Sequence, residues 1–285
     1  MNPNVFEIQG LECAYDHKGK KEKKVVLRIE KLSIPIGKVS IILGLSGSGK
    51  STLIETLGLM NNTIHKGLIT YFHGENKITI GRKIWEHPSA LTKIRNRHFS
   101  FIFQNDFLMP HYSPAENMMI GRLIQGVDKK ASNEKEEMKK VCRKLGLNFN
   151  EINTKKPSAL SVGQKQRLSF IRAVIKNYSV IFGDEPTGNL DEINSELLMD
   201  VLNESIKQDT QRSAILVSHN IPLSVAKAGY IIVLSLVSGD LYEIRPCNVF
   251  SRTASGWING NSDVLTDDKL EIKIREIVNI IEPAQ

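Results

Sequence analysis

The chain has 285 residues, of which 41% are hydrophobic and 24% are charged, as in an ordinary soluble globular protein. Its formal net charge of +7 permits an anionic partner but does not indicate nucleic-acid binding. The three cysteines, Cys13, Cys142 and Cys247, lie far apart, which argues against a disulfide framework and a zinc site and favours a reducing compartment.

The sequence carries no recognisable targeting or membrane segment. Its amino terminus lacks the basic start and apolar core of a secretory signal. The longest apolar stretch, residues 230–237, is far shorter than the ~20 residues that a membrane-spanning helix requires. We therefore expect a cytoplasmic protein that reaches a membrane only through partners.

Short β-like runs between turn residues characterise the first half of the chain. They predict strands at residues 6–11, 25–29, 39–43 and 99–103 and a β-rich stretch at residues 67–80. A lysine-rich connector, residues 17–24, fits a solvated hairpin tip better than a contact for phospholipid headgroups or acidic partner loops. A basic segment at residues 90–97 is predicted to be helical.

Helical and buried-strand patterns alternate in the second half. Apolar residues at three-and-four spacing predict a small helical subdomain within residues 114–145. The apolar runs at 180–182 and 214–217 predict buried parallel strands, which a helix at 193–208 separates. This alternation is typical of an α/β fold.

The carboxyl-terminal part contains a hairpin signal and an amphipathic helix. Ser238, Gly239 and Asp240 separate two β-like runs, residues 231–237 and 241–244, and residues 252–256 have the composition of a loop-like link. The predicted helix follows Asp267 and Asp268, and we expect it to pack on its own domain rather than on a partner. Its apolar face consists of Leu270, Ile274, Ile277 and Ile281.

A phosphate-binding loop directly follows the apolar run at residues 39–43. Its sequence is Gly44-Leu45-Ser46-Gly47-Ser48-Gly49-Lys50-Ser51-Thr52. Small residues let successive backbone N–H groups turn inward around anionic oxygens, and the following helix points its positive end at them. In this pattern Lys50 reaches the β- and γ-phosphates and the Ser51 hydroxyl can ligate Mg²⁺. The loop therefore predicts nucleotide binding.

Two consecutive acids follow the predicted strand at 180–182, in the segment Gly183-Asp184-Glu185-Pro186-Thr187. We interpret Asp184 as the Mg²⁺-side carboxylate and Glu185 as the general base for an attacking water. Consecutive residues that leave a strand diverge, so the two side chains can serve different partners.

The ordered set of motifs resembles the ATP-binding cassette ATPases. The segment Leu160-Ser161-Val162-Gly163-Gln164-Lys165-Gln166-Arg167 is similar to the signature loop of that family. Taken alone, a serine and a glycine at a helix start suit anion recognition by N–H groups and a hydroxyl. The resemblance implies that Ser161, Gly163 and Gln164 contact the γ-phosphate of ATP bound to a second subunit.

Further positions take their roles from the same resemblance. Gln104 resembles the Q-loop glutamine, which contacts Mg²⁺ and water, and His219 resembles the switch histidine at the γ-phosphate. The segment 188–191, ending at Asp191, resembles the D-loop between two active sites. Tyr15 matches the aromatic residue that stacks on adenine, although the residues alone equally allow a packed strand position.

Two positions depart from the family pattern. Val162 stands where the family most often has glycine, and Gly183 replaces the apolar residue that usually precedes the Walker B aspartate. Ser161, Gly163 and both acids remain, so we expect hydrolysis to persist.

The resemblance implies a fold and an organisation. We expect an α/β P-loop NTPase (RecA-like) core with an antiparallel β subdomain and a helical signature subdomain at about residues 105–160. Residues 1–245 would form the ATPase domain, and residues 246–285 a carboxyl-terminal extension with an amphipathic helix. The segments 103–110 and 185–191 are most similar to lipoprotein-release, macrolide-export and cell-division ATPases.

The function that this resemblance implies is ATP binding and hydrolysis that power a transporter. ATP and Mg²⁺ are the expected cofactors. The expected partners are a second copy in a head-to-tail dimer and integral membrane permease subunits, which place the chain on the inner face of the membrane.

Other classes of ATPase share these motifs. A mechanical ATPase that drives a cell-division or envelope process without transport stays open. DNA-repair ATPases usually separate the loop and the signature by long coiled coils or zinc modules, whereas here the two are contiguous, and no nucleic-acid partner is expected. Translation factors of the family carry two cassettes, and this sequence contains one.

Overall fold

The computed structural model describes residues 3–16, 23–126 and 132–279. Most of the predicted lysine-rich connector and Ile281 of the predicted terminal helix lie outside these residues. The strands are β1 (Asn4–Asp16), β2 (Lys23–Pro35), β3 (Val39–Leu43), β4 (Ile64–His73), β5 (Asn76–Ile80), β6 (Phe99–Ile102), β7 (Val180–Asp184), β8 (Ser213–Val217), β9 (Tyr230–Val233), β10 (Ser235–Ser238), β11 (Leu241–Glu243), β12 (Val249–Thr253), β13 (Gly256–Asn259) and β14 (Val264–Leu265). The helices are α1 (Lys50–Leu57), α2 (Pro88–His98), α3 (Pro114–Ile124), α4 (Ser132–Lys144), α5 (Phe149–Asn153), α6 (Val162–Ile175), α7 (Glu192–Gln208), α8 (Ile221–Lys227) and α9 (Asp267–Asn279).

The larger sheet has the strand order β14-β13-β12-β9-β3-β8-β7-β6. Strands β9, β3, β8, β7 and β6 are parallel, and β12 to β14 continue the sheet in antiparallel pairs. Every residue of β3 and β8 is buried, which explains their continuous apolar sequences, because both faces of the sheet are covered. Only β8 separates the carboxyl end of β3 from that of β7, so the phosphate loop and the two acids meet at one edge.

The second sheet has the order β10-β11-β2-β1-β4-β5 and is antiparallel apart from the parallel β11–β2 pair. One hydrophobic core lies between the two sheets and includes α1, while the other lies on the opposite face of the larger sheet. Successive residues of β3 face opposite sides of the sheet, so Ile42 packs in the first core and Ile41 in the second. The expected α/β fold is confirmed.

The predicted helical subdomain contains α3 and α4. Ser113 and Glu116 form a capping box at the start of α3, where Pro114 also favours helix initiation. Met118 and Cys142 are fully buried, as their helical spacing predicts. No helix of the described residues is both long enough and apolar enough to cross a bilayer.

Two predictions for the carboxyl-terminal part are wrong in detail. The run at 231–237 is not one strand, because the chain crosses between sheets at the buried Leu234 and forms β9 in one sheet and β10 in the other. Residues 252–256 are not a link, because they close the β12–β13 hairpin that extends the larger sheet. Helix α9 packs on this sheet through Leu270 and Ile274, which confirms packing on its own domain. The division at residue 245 stays a prediction.

Candidate active site

The phosphate loop connects β3 to α1 and leaves several polar groups free to meet an anion. Gly49 precedes the helix with a φ of 90°, a left-handed conformation that favours glycine, and no side chain in the described part of the chain caps the first turn. The first N–H groups of the helix therefore lack a side-chain partner. The Ser48 hydroxyl is buried and finds no hydrogen-bond partner among the described residues. The loop suits an anionic ligand.

Lys50 holds its ammonium group against the same loop. The side chain is nearly buried, and Nζ donates hydrogen bonds to Gly44 O at 3.0 Å and Leu45 O at 2.6 Å. Burial lowers the pKa of Lys50, while the nearby Glu185 and Asp184 carboxylates oppose that shift. A phosphate group bound at the loop would, like these two carboxylates, favour the charged form of Lys50.

The two consecutive acids reach different partners, as the sequence predicts. Asp184 ends β7 beside the Ser51 hydroxyl. Burial and the neighbouring Glu185 carboxylate raise the pKa of Asp184, against the opposing effects of Ser51, Lys50 and His219. Glu185 has a φ of 48°, which is uncommon for a residue with a side chain and turns the chain sharply. Its Oε1 lies 2.5 Å from His219 Nε2.

A cleft of ≈ 260 Å³ brings most of these groups together. Tyr15 stands at this cleft with 43% of its surface exposed, and its hydroxyl lies 2.9 Å from Thr52 Oγ1. A second cavity of ≈ 500 Å³ adjoins Glu185 and His219 on the side of the 188–191 segment. The lining of the first cleft is Tyr15, Val26, Ser46, Gly47, Gly49, Lys50, Ser51, Thr52, Glu185 and His219.

The other predicted site residues lie elsewhere. Among the described residues, the lining of the cleft does not include Gln104, which is exposed in the loop after β6. It does not include the signature residues or Asp191 either, since these stand at the starts of α6 and α7. A single copy of the chain therefore brings together one part of the predicted set.

The signature residues form the amino-terminal cap of α6. Ser161 Oγ accepts a hydrogen bond from Gln164 N at 3.2 Å, and Gln164 Oε1 accepts one from Ser161 N at 3.0 Å. This capping box keeps Ser161 exposed at the positive end of a helix. Val162 is 64% exposed, so its side chain does not fill the space around the cap.

Asp191 caps α7 in a similar way. It accepts a hydrogen bond from Asn194 N at 2.9 Å, and its hydrogen bonds with Asn194 lower the pKa of the carboxyl. Arg167 connects this cap to α6, because its guanidinium donates to Asn194 Oδ1 at 3.0 Å and to Gly163 O at 3.2 Å.

Sequence reasoning assigned no role to two side chains that the structure places behind the site. Arg167 is one, and Gln166 is the other, since its amide donates to the carbonyl of Pro186, next to Glu185. Both stand in the signature segment, but no local pattern marks their partners. The structure also accounts for Gly183, because a Cβ there would lie 2.7 Å from Leu216 Cδ2.

Comparisons with known proteins agree with this geometry. Residues 27–188 match the ABC transporter family. The macrolide export ATP-binding/permease protein MacB of Salmonella choleraesuis is 35% identical over 247 residues, which is 83% of this chain and 35% of that protein. The chain thus spans about a third of the length of this relative. The lipoprotein-releasing system ATP-binding protein LolD of Pseudoalteromonas translucida is 31% identical over 224 residues, covering 79% of this chain and 90% of that one.

A solved structure has the same fold. The dimeric structure of MJ0796, a bacterial ABC transporter cassette, superposes with a TM-score of 0.69 at 27% identity, over 84% of this chain and 96% of that one. With its phosphate loop, paired acids and capped signature helix in the order of that family, the chain belongs to the ABC transporter family as an ATP-binding cassette ATPase.

Proposed function

We propose that this ATPase binds MgATP in the cleft around Lys50, pairs head to tail with a second copy, and drives a membrane permease from the inner face of the membrane. The observation that carries the proposal is the convergence of Lys50, the Asp184–Ser51 pair and the Glu185–His219 pair at one edge of the sheet. Each pair supplies a different requirement of phosphoryl transfer to water.

The residues around Ser51 fit a magnesium ion. Its hydroxyl lies beside the Asp184 carboxylate, so two hard oxygen ligands stand together next to the phosphate loop. Gln104, in the loop after β6, would add an amide oxygen. When bound, Mg²⁺ would neutralise charge on the terminal phosphates. Lys50 would exchange its carbonyl partners for phosphate oxygens.

Glu185 is the proposed base for the attacking water. Its carboxylate is only partly exposed and pairs with His219, so His219 and the attacking water would compete for the same carboxylate oxygen. For Glu185 to accept a proton from water, His219 must turn toward the γ-phosphate, where an imidazole can donate to the developing charge. The Tyr15 ring at the rim of the cleft would stack on adenine.

The signature residues give the reason for proposing a dimer. Ser161 and Gly163 start a helix whose positive end is exposed, yet they do not line the cleft of their own subunit. An anion-binding cap of this kind can complete the site of a second copy, and a twofold pair would then hold two ATP molecules. The similarity to the dimeric MJ0796 cassette supports this arrangement.

An apolar surface after Gln104 supports the proposed permease partner. Phe107 is 60% exposed and Met109 47% exposed, and the Phe107 ring packs edge-on against Phe103. The loop beneath them is firmly held, because buried Asn117 bonds to Met109 on both its N–H and its carbonyl. Exposed apolar side chains on a fixed loop are typical of a protein-binding site.

The substitution Glu185→Gln tests the catalytic and dimer parts of the proposal. The amide keeps the shape of the side chain but cannot accept a proton, so the variant should bind MgATP, elute as a dimer in its presence and release almost no phosphate. Light scattering after size exclusion and a phosphate-release assay measure both. Brisk hydrolysis would remove Glu185 as the base, and a monomer with bound MgATP would contradict the head-to-tail pair.

The substitution Phe107→Asp tests the permease surface. It should abolish copurification with membrane protein from detergent extracts of the native cell and leave the ATPase rate of the isolated chain unchanged. Ile272→Asp on α9 is the matched control, because Ile272 is similarly exposed at 58% but lies far along the chain. Equal copurification of the two variants would place the partner on another surface.

A further inference from the structure

Gln166 is a buried polar side chain that the chemistry described above does not use. Only 4% of its surface is exposed, and Nε2 donates a hydrogen bond to Pro186 O at 3.0 Å. Its Oε1 is buried without a partner among the described residues. A buried acceptor left unsatisfied lowers stability, and an apolar side chain of similar size would avoid that cost. The side chain therefore serves the contact with Pro186 rather than stability.

The carbonyl that Gln166 holds belongs to the residue directly after the proposed base. Glu185 turns through a left-handed conformation, and its own backbone N–H is fixed to Val217 O at 3.1 Å. Gly188 N closes the turn on Glu185 O, also at 3.1 Å. The hydrogen bond from Gln166 fixes a further group of this turn, the carbonyl of Pro186. The direction of the Glu185 carboxylate therefore depends on where Gln166 lies.

Gln166 also shares a rigid element with the signature residues. It lies on α6, three residues after Gly163 and five after Ser161 in the same helix and its cap. The next residue, Arg167, donates to Gly163 O and to Leu145 O, which ties the first turn to the helical subdomain. A displacement of the capped end of α6 would therefore move Gln166 and the Pro186 carbonyl together.

We infer that Gln166 is a positioning residue that couples the two ATP sites of the dimer. In each subunit, the signature residues contact one ATP and the Glu185 base acts on the other, and Gln166 makes the position of that base depend on the ATP at the signature residues. The inference rests on the proposed head-to-tail dimer. It makes hydrolysis cooperative, because each base reaches its working position only when the neighbouring site is filled.

The test compares ATPase kinetics of the full chain with those of Gln166→Leu. The unmodified chain should have a Hill coefficient for ATP approaching about 2, as two coupled sites allow. Gln166→Leu should lower it to about 1 and reduce kcat roughly ten- to a hundredfold, since a displaced base loses its geometry. The dissociation constant for ATP, measured by calorimetry, should change less than about twofold because Gln166 does not line the cleft.

Two further variants separate positioning from folding. Gln208→Leu removes a glutamine from the exposed surface of α7 and should keep full cooperativity and kcat. Gln166→Glu keeps the size, but a carboxyl donates to Pro186 O only when protonated, and burial raises the pKa of such a group. The rate of Gln166→Glu relative to the unmodified chain at the same pH should therefore rise as the pH falls from 8 to about 6.

The outcomes distinguish this inference from the proposed function. If Glu185→Gln dimerises with MgATP and Gln166→Leu keeps an unchanged Hill coefficient and kcat, the coupling role of Gln166 is refuted while the dimer stands. If Glu185→Gln remains a monomer, the dimer fails and the coupling fails with it. Loss of cooperativity with intact ATP binding, together with recovery of Gln166→Glu at low pH, supports the role.

Discussion

Replacing Trp257 by alanine tests whether the carboxyl-terminal strands belong to the core of the ATPase. Trp257 lies on β13 with none of its surface exposed, and its indole N–H donates to Asp267 Oδ1 at 2.9 Å. The guanidinium of Arg252 lies 4.6 Å from the ring centroid, so β12, β13 and α9 all meet at this side chain. The substitution removes the largest fully buried side chain of this region.

The expected loss follows from these contacts. Truncation of a buried aromatic side chain to alanine costs about 3–5 kcal/mol. Arg252 keeps its hydrogen bonds to the carbonyls of Val225 and Ala228, so no unpaired charge is left behind. Asp267 is half-exposed and can bond to water in place of the indole. The packing loss therefore dominates, and we expect a decrease of about 4 kcal/mol in the free energy of unfolding, or roughly 10 °C in Tm.

Urea denaturation followed by circular dichroism measures this loss. Tryptophan fluorescence is unsuitable because the chain has only two tryptophans and the substitution removes one. Val264→Ala on the neighbouring β14 is the control, since Val264 is 56% exposed and should cost little. A loss below about 1 kcal/mol for Trp257→Ala would mean that β13 and α9 contribute little to the stability of the ATPase, contrary to the packing argument.

Three shorter predictions address the site and its surroundings. Lys50→Ala should weaken ATP binding about 10- to 100-fold in calorimetry, because it removes a hydrogen bond to a charged group. Lys38→Ala, outside the cleft, should leave ATP binding unchanged. Burial, together with the nearby His73 and Arg97, lowers the pKa of His98 from 6.5 to about 4. Between these two pH values the unfolded chain binds a proton at His98 that the folded chain does not, so the free energy of unfolding should fall as the pH drops from 6.5 toward 4. His98→Gln should flatten that decline in urea midpoints, and an unchanged slope would contradict it. Gly183→Ala should lower the free energy of unfolding by about 1–3 kcal/mol, because its Cβ would press on Leu216; an unchanged midpoint would mean that Leu216 moves freely.

The parts of the site that local sequence predicts are those built from consecutive residues. The phosphate loop, the acids at the end of β7 and the amphipathic face of α9 each place their functional or buried side chains within one element and its end. Backbone geometry then determines their direction, as when the turn at Glu185 separates its carboxylate from that of Asp184. Such features need no knowledge of distant contacts.

The errors in the carboxyl-terminal part have a different origin. Residues 231–237 form a mostly apolar run that only Ser235 interrupts, and this pattern alone does not indicate that the chain changes sheets at Leu234. The β12–β13 hairpin was missed because Arg252 stands in a short polar stretch typical of a loop. Its guanidinium is accommodated only because Trp257, Asp267 and the end of α8 surround it.

Gln164 and Gln166 illustrate why positions behind a site escape sequence reasoning. They are the same residue type, two positions apart, in one motif. On a helix this separation places them about 200° apart, so they face opposite directions. Gln164 closes the exposed cap on Ser161, a local contact that the spacing predicts, whereas Gln166 points inward to Pro186, twenty residues away along the chain. The partner of Gln166 depends on how α6 packs against β7 and its turn, and that packing is a property of the whole sheet. The motif thus reveals where the nucleotide is contacted, and only the fold reveals how that contact reaches the base.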